Sequence, residues 1–351
     1  MGCLLSRICF CRSGPIVETV QGAVEGTIMK TLGGKTVFAY RGVPYAQPPL
    51  AKLRLQKPQP MSAWPGTLNC KKEAPKGLQP FALAPECRLL DEGGEDCLYL
   101  NVYTKSRPPV AQSNLLPVVV FLPGGAFQLG SCEADLYGPQ VLLDQDLVLV
   151  GVNYRLGALG WLSLGCDEVP GNLGLWDQRM ALLWVQENIA AFGGDPKRVT
   201  LLGESAGAMS AMLHMVAPAS RGLFHRVVAL SGTPNNLLLK QGQRPETYGN
   251  AFVEKLGFSK EADNATKLQK LQEVKASEFL KHGMMFKDWD NTTPLPWVPV
   301  DDSGLTEPFL PLNFWDAVKE GKVANVPIVM ACCRDEGLIL SASFHRWIFS
   351  S

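Results

Sequence analysis

Gly203-Glu204-Ser205-Ala206-Gly207 is a G-x-S-x-G pentapeptide. A serine hydroxyl is a weak nucleophile at neutral pH, so chemistry at Ser205 needs a base beside it and donors for the oxyanion that forms. The motif serves that chemistry when the serine sits on a strained turn between a strand and a helix. The apolar run Val199–Leu202 reads as the strand, and Ala208–Val216 reads as the helix. Glycines flanking the serine let neighbouring backbones approach, and the helix N-terminus turns its positive end toward a developing anion. A second source of backbone donors is expected in Phe121-Leu122-Pro123-Gly124-Gly125-Ala126-Phe127, whose small residues leave N–H groups uncovered.

Those loops need a scaffold. Short apolar runs at Val118–Leu122, Leu147–Val152, Val199–Leu202, Val227–Leu230 and Val326–Ala331 read as buried parallel strands. Between the second and third, Leu175, Ala181, Leu182, Val185 and Ile189 share one helical face, and Gly193-Gly194 ends the helix. Strand–helix–strand alternation predicts an α/β fold. Upstream, Val20, Val24, Ile28 and Val37-Phe38-Ala39 read as short strands separated by glycine turns, and Leu98–Tyr103 alternates as a strand does. Residues about 240–320 break the rhythm with polar helices and a Pro/Trp-rich loop, and read as a cap-like insertion within one domain of residues 16–351.

Thirty-three Lys and Arg balance 33 Asp and Glu, which argues against a nucleic-acid partner. With 46% hydrophobic and 19% charged residues the chain is globular rather than disordered. No apolar run approaches the roughly 18 residues of a membrane-spanning helix. Residues 1–15 form a separate N-terminal segment. Met1-Gly2-Cys3-Leu4-Leu5-Ser6 fits the N-myristoylation pattern on Gly2, and Cys3 beside it is a palmitoylation candidate. Two acyl chains would hold a cytoplasmic protein at a membrane. The rival reading is a secretion signal, against which Arg7 and Arg12 interrupt the apolar stretch. Two glycosylation triplets, Asn264-Ala265-Thr266 and Asn291-Thr292-Thr293, matter only for a secreted chain.

In order along the chain, further segments join these motifs: Phe38–Ala46, Glu95-Asp96-Cys97-Leu98-Tyr99-Leu100-Asn101-Val102, Gly124–Phe127 and Asn153-Tyr154-Arg155-Leu156-Gly157. Gly171-Asn172-Leu173-Gly174, Asp177-Gln178 and Phe192-Gly193-Gly194-Asp195-Pro196 follow. Together they resemble the type-B carboxylesterase family, which includes cholinesterases, carboxylesterases and bile-salt-activated lipases. The resemblance runs from about residue 18 to 340. It implies an α/β-hydrolase fold, a mostly parallel central sheet flanked by helices, and hydrolysis of small carboxylic esters without metal or organic cofactor. It implies Ser205 as nucleophile, Gly125, Ala126 and Ala206 as oxyanion donors, and Glu336 as the acid of a Ser–Glu–His triad, with Asp335 as local competitor.

The sequence departs from the family at its end. The triad histidine belongs after a further strand, yet His345 stands nine residues past Glu336, fewer than the dozen or more a parallel crossover takes. His214 is roughly 13 Å along the helix from Ser205, His225 precedes its strand, and His282 lies in the insertion. The expectation is therefore an esterase chain lacking the C-terminal strand, helix and base, with activity far below that of an intact enzyme. The intact Ser205, oxyanion glycine and Glu336 favour a fragment or splice isoform over a neuroligin-like binding protein or a stoichiometric scavenger. The family pairs the Glu-Asp-Cys cysteine with one upstream. Here Gly77 stands where that partner is expected, leaving Cys70 or Cys87 to pair with Cys97. Between Cys70 and Cys97 there is no tryptophan to hold choline, so the resemblance does not extend to acetylcholine.

Overall fold

The computed structural model describes residues 13–80, 91–234, 246–259, 261–283 and 296–338. Gly2, Cys3, Cys87, Asn291 and His345 lie outside the described residues. The N-terminal strands β1 (Ser13–Glu18), β2 (Ala23–Lys30) and β3 (Thr36–Pro44) form an antiparallel meander. The first turn closes when the Thr19 N–H donates to the Gly22 carbonyl (3.1 Å) and Gly22 returns the bond (3.2 Å). Val20, expected in a strand, sits in this turn and is 70% exposed. β4 (Thr67–Asn69) pairs with β2, and β5 (Tyr99–Thr104) lies antiparallel to β3.

β6 (Leu116–Leu122), β7 (Val148–Val152), β8 (Gly194–Glu204), β9 (Arg226–Leu230) and β10 (Ile328–Ala331) complete a ten-stranded sheet. Its order is β1-β2-β3-β5-β7-β6-β8-β9-β10, with β4 beside β2. Only the block from β7 through β10 is continuously parallel. The sheet is thus mixed, with five parallel pairings against four antiparallel ones, the latter gathered at its N-terminal side. The short turns joining β1, β2 and β3 leave no room for a parallel crossover, which takes a dozen or more residues.

Helix α1 (Leu173–Asn188) buries Leu175, Ala181, Leu182 and Val185, and the following 3-10 turn buries Ile189. Gly193 then adopts φ +84° and stops it. Helix α2 (Ala206–Val216) is buried along its whole length. Its first helical residue is Ala206 because Ser205 itself occupies the N-cap position.

Helices α3 (Glu246–Lys255), α4 (Asn264–Glu273) and α5 (Ala276–Gly283) come from the insertion. Their Phe252, Leu271 and Phe279 join the same apolar cluster as Leu159, Trp161, Ala206 and Met209. Arg54 fastens this layer to the N-terminal half. Its Nε and Nη2 each lie 2.6 Å from the Glu95 carboxylate, and its Nη1 donates to the Leu271 and Gln272 carbonyls (3.0 and 3.2 Å). The Asn264-Ala265-Thr266 triplet opens α4, and Asp263 caps it, accepting the Thr266 N–H and hydroxyl at 2.8 Å each.

Two sequence expectations need correction. Cys70 and Cys97 are both buried and unbonded. Both belong to the largest apolar cluster, and Cys70 Sγ rests 3.9 Å from the Gly42 carbonyl. The strand at 326–331 is also not buried. It shortens to β10, and Ile328, Val329 and Met330 are 38%, 59% and 54% exposed, on both faces of the sheet.

Candidate active site

β8 runs straight into the pentapeptide, and Ser205 takes φ +52° and ψ −120° before α2 begins. That backbone conformation is costly for a residue with a side chain, on the order of 1–3 kcal/mol, and persists only where the surroundings impose it. They do so here by close packing. A Cβ on Gly203 would lie 2.1 Å from the Gly207 carbonyl oxygen, and one on Gly207 would lie 2.0 Å from that of Leu122. Both clashes are with backbone, so glycine is required at each position. The Ser205 N–H donates to the Leu230 carbonyl (2.8 Å), pinning the turn to the end of β9. Ala206 is the first residue of α2, so its N–H has no intrahelical acceptor.

The loop after β6 faces this turn. Gly125, Ala126 and Phe127 have φ of +118°, +56° and +62° in succession. The Gly125 carbonyl accepts the Gln128 and Leu129 N–H groups, both at 3.0 Å, which curls the loop back. A Cβ on Gly124 would come within 3.0 Å of the Ser205 Cβ and 2.3 Å of Glu204 Oε2, so the loop lies directly over the elbow. Two side chains not anticipated from the sequence hold it. The Tyr154 hydroxyl donates to the Pro123 carbonyl (2.6 Å), and Gln79 Oε1 accepts the Gly130 N–H (2.9 Å).

Glu336 reaches the same place from the turn after β10. Its Oε1 accepts the Cys333 N–H at 2.8 Å, and the Ser231 hydroxyl stands beside its carboxylate. These two neighbours, Ser231 first, hold Glu336 below the usual carboxylate range. Asp335 instead turns to Arg334 in solvent (2.9 Å). Ser231 follows β9 with φ +54°, and its N–H donates to the Ala331 carbonyl (2.7 Å). A Cβ on the next residue, Gly232, would lie 2.2 Å from the Ser205 carbonyl oxygen. Glu204 is raised above its ordinary range by burial and by the charge of Glu336. Sequence reasoning missed Ser231 and Glu204, although Glu204 is the variable residue of the motif itself.

The described histidines are engaged elsewhere. His214 is buried on α2, with Nδ1 2.7 Å from Ser220 Oγ and Nε2 3.0 Å from Gln178 Oε1. Burial, aided by Arg179, pushes it down to about 3, so it is neutral. His225 Nδ1 accepts the Val199 N–H (3.2 Å) at the opposite end of the sheet from the elbow. His282 Nε2 pairs with Glu278 (3.0 Å). Deeper in the fold, Arg155 and Asp177 form a buried two-point ion pair, at 2.8 and 2.6 Å. Burial alone would lower the guanidinium, but the Asp177 charge outweighs it and the group stays ionised. This pair accounts for the charged members of the segments around residues 155 and 177. Among the described residues no three His, Cys, Asp or Glu side chains cluster as metal ligands do.

The model of the carboxylesterase family matches residues 13–347. The chain belongs to the carboxylesterase family. It is 36% identical to juvenile hormone esterase of Tribolium castaneum over 95% of this chain and 57% of that protein. It is 35% identical to esterase FE4 of Myzus persicae over 97% of this chain and 58% of that one. Mouse cholinesterase shares 37% over 92% and 53%. The chain therefore spans somewhat more than half the length of these relatives. Among solved structures, juvenile hormone esterase from Manduca sexta, with OTFP covalently attached, superposes with a TM-score of 0.80 at 31% identity. It covers 90% of this chain, which covers 59% of that one. This carboxylesterase-family chain thus has the α/β-hydrolase fold.

Proposed function

We propose that Ser205 is the nucleophile of a carboxylic ester hydrolase that works through an acyl-enzyme. The observation carrying this reading is the convergence of three separate loops on one turn: the elbow after β8, the Gly124–Phe127 loop after β6, and the Glu336 turn after β10. Ser205 Oγ attacks the acyl carbon, and the carbonyl oxygen becomes an oxyanion held by the N–H groups of Gly125, Ala126 and Ala206. Glu336, kept ionised by Ser231 and the Cys333 N–H, orients the imidazole that takes the serine proton. That imidazole comes from outside the described residues, since His214, His225 and His282 each have other partners. Exposure of the full chain to 4-nitrophenyl acetate tests the reading. Acetate on Ser205, located by peptide mass mapping, is the expected product. Acetylation confined to lysines would overturn it.

One observation favours a second reading, a binding protein on the same fold: the three described histidines are all committed to structural contacts. It predicts an unacylated Ser205 in the same experiment. The acylation of Gly2 and Cys3 is a separate proposal, tested by the mass of the N-terminal peptide.

A further inference from the structure

The described cysteines fall into two classes. Cys70, Cys97 and Cys132 are buried, and burial pushes the Cys70 thiol up to about 12 and the other two higher still. Cys166 is half-buried and also raised. Such thiols are poor nucleophiles. Cys332 and Cys333 differ in both respects that matter: they are exposed, and they are adjacent in sequence.

Their location gives the pair a consequence. They lie between the last residue of β10, Ala331, and the acid, Glu336. The Ala331 carbonyl accepts the Ser231 N–H (2.7 Å), and the Cys333 N–H donates to Glu336 Oε1 (2.8 Å). The peptide unit joining the two cysteines therefore supplies a hydrogen bond that holds the acid in place.

We propose that Cys332 and Cys333 form a peroxide-reactive dithiol, which closes to a disulfide between neighbours and thereby releases Glu336 from the Cys333 N–H. In the first step one thiolate attacks a peroxide oxygen, the O–O bond breaks, and a sulfenic acid and water result after protonation. In the second step the neighbouring sulfur attacks the sulfenic sulfur, an S–S bond forms, and the second water leaves. Two thiols and one hydrogen peroxide give one disulfide and two waters, so the sulfurs lose two electrons and the peroxide gains them. Bridged cysteines usually keep their Cα atoms about 4.4–6.8 Å apart, whereas neighbouring Cα atoms lie about 3.8 Å apart across a trans peptide. Ring closure must therefore twist the 332–333 peptide, the unit whose N–H binds Glu336. The same strain makes the bond easily reduced, which fits a reversible modification rather than a structural staple.

The test does not depend on ester hydrolysis. The full chain is treated with stoichiometric hydrogen peroxide, the remaining thiols are alkylated, and the protein is digested with trypsin. Cleavage after Lys322 and Arg334 yields a peptide holding Cys332 and Cys333 and no other cysteine. The expected result is loss of two hydrogens and of both alkylation sites, reversed by a thiol reductant. Cys332→Ser and Cys333→Ser should each abolish that loss. Separate oxygen addition to single cysteines, or bonding of either one to a different peptide, would overturn the proposal. Hydrogen exchange reads the coupling: oxidation should speed exchange of the Cys333 amide about tenfold or more, and an unchanged rate would refute the release of Glu336.

Discussion

The Ser231 hydroxyl stands beside the Glu336 carboxylate and lowers it, which joins Glu336 to the turn that carries Ser205. Ser231 is fixed at both ends of its neighbourhood. Its N–H binds the Ala331 carbonyl, and Gly232 beside it packs against the Ser205 backbone. A shift of Ser231 would therefore move Glu336 relative to Ser205.

Ser231→Ala removes the hydroxyl that does most to lower Glu336. Acylation of Ser205 should slow about tenfold or more, with the fold intact by circular dichroism. The sign of the pH effect follows from the lowered Glu336. Its charge survives below the ordinary carboxylate range while Ser231 is present. Without Ser231 the acidic fall in acylation should begin at higher pH. An unmoved acidic limb would show that Ser231 does not set the ionisation of Glu336.

Gly207→Ala drives a methyl group into the Leu122 carbonyl oxygen, 2.0 Å from its ideal position. Neither partner is a flexible side chain, so α2 must lift from β6. A loss of about 3 kcal/mol in urea unfolding is expected. A neutral result would mean that the elbow is looser than its geometry implies.

Removing Arg155 leaves the Asp177 charge buried without its partner, which costs about 3–5 kcal/mol. The double replacement Arg155→Met with Asp177→Leu should recover much of that loss. Equal destabilisation by the single and double variants would show that packing, not charge pairing, accounts for the effect.

His214 makes stability depend on acid. Folded, it stays neutral down to about 3, while an unfolded histidine takes up a proton near pH 6.5. Between these values the unfolded chain binds more protons, so its contribution is fully present above pH 6.5 and is lost progressively as pH falls toward 3. In His214→Gln the midpoint of urea unfolding should fall less steeply over that window. A slope equal to that of the wild type would remove His214 from the account.

The elbow was legible in the sequence because its demands are local. Gly203, Ser205 and Gly207 stand within five residues, Gly203 packs directly on Gly207, and the flanking strand and helix follow their own apolar periods. Glu336 was legible only through the family pattern, since an acid pair before a glycine is otherwise a solvated turn. Ser231, Tyr154 and Gln79 were not legible at all. Each acts on a segment distant in the chain, Gln79 through two hydrogen bonds to Gly130, and single polar residues carry no period. The misjudged burial of residues 326–331 has a similar cause. An apolar run predicts that a strand forms there, but its covering depends on elements elsewhere.

That exposed strand leads to a further prediction. Among the described residues β10 pairs only with β9 and exposes apolar side chains on both faces, an arrangement that favours edge-to-edge association. The chain should self-associate with rising concentration, and Val329→Lys should reduce this in sedimentation velocity. Concentration-independent monomers would contradict it.

The central claim is that Ser205 is an activated nucleophile, and covalent capture tests it most directly. The full chain would be treated with a fluorophosphonate, and the site located by mass spectrometry beside a Ser205→Ala control. A single phosphonyl group on the peptide containing Gly203–Gly207, absent from the control, is the expected result. A chain that stays unlabelled, or that labels equally without Ser205, would contradict it.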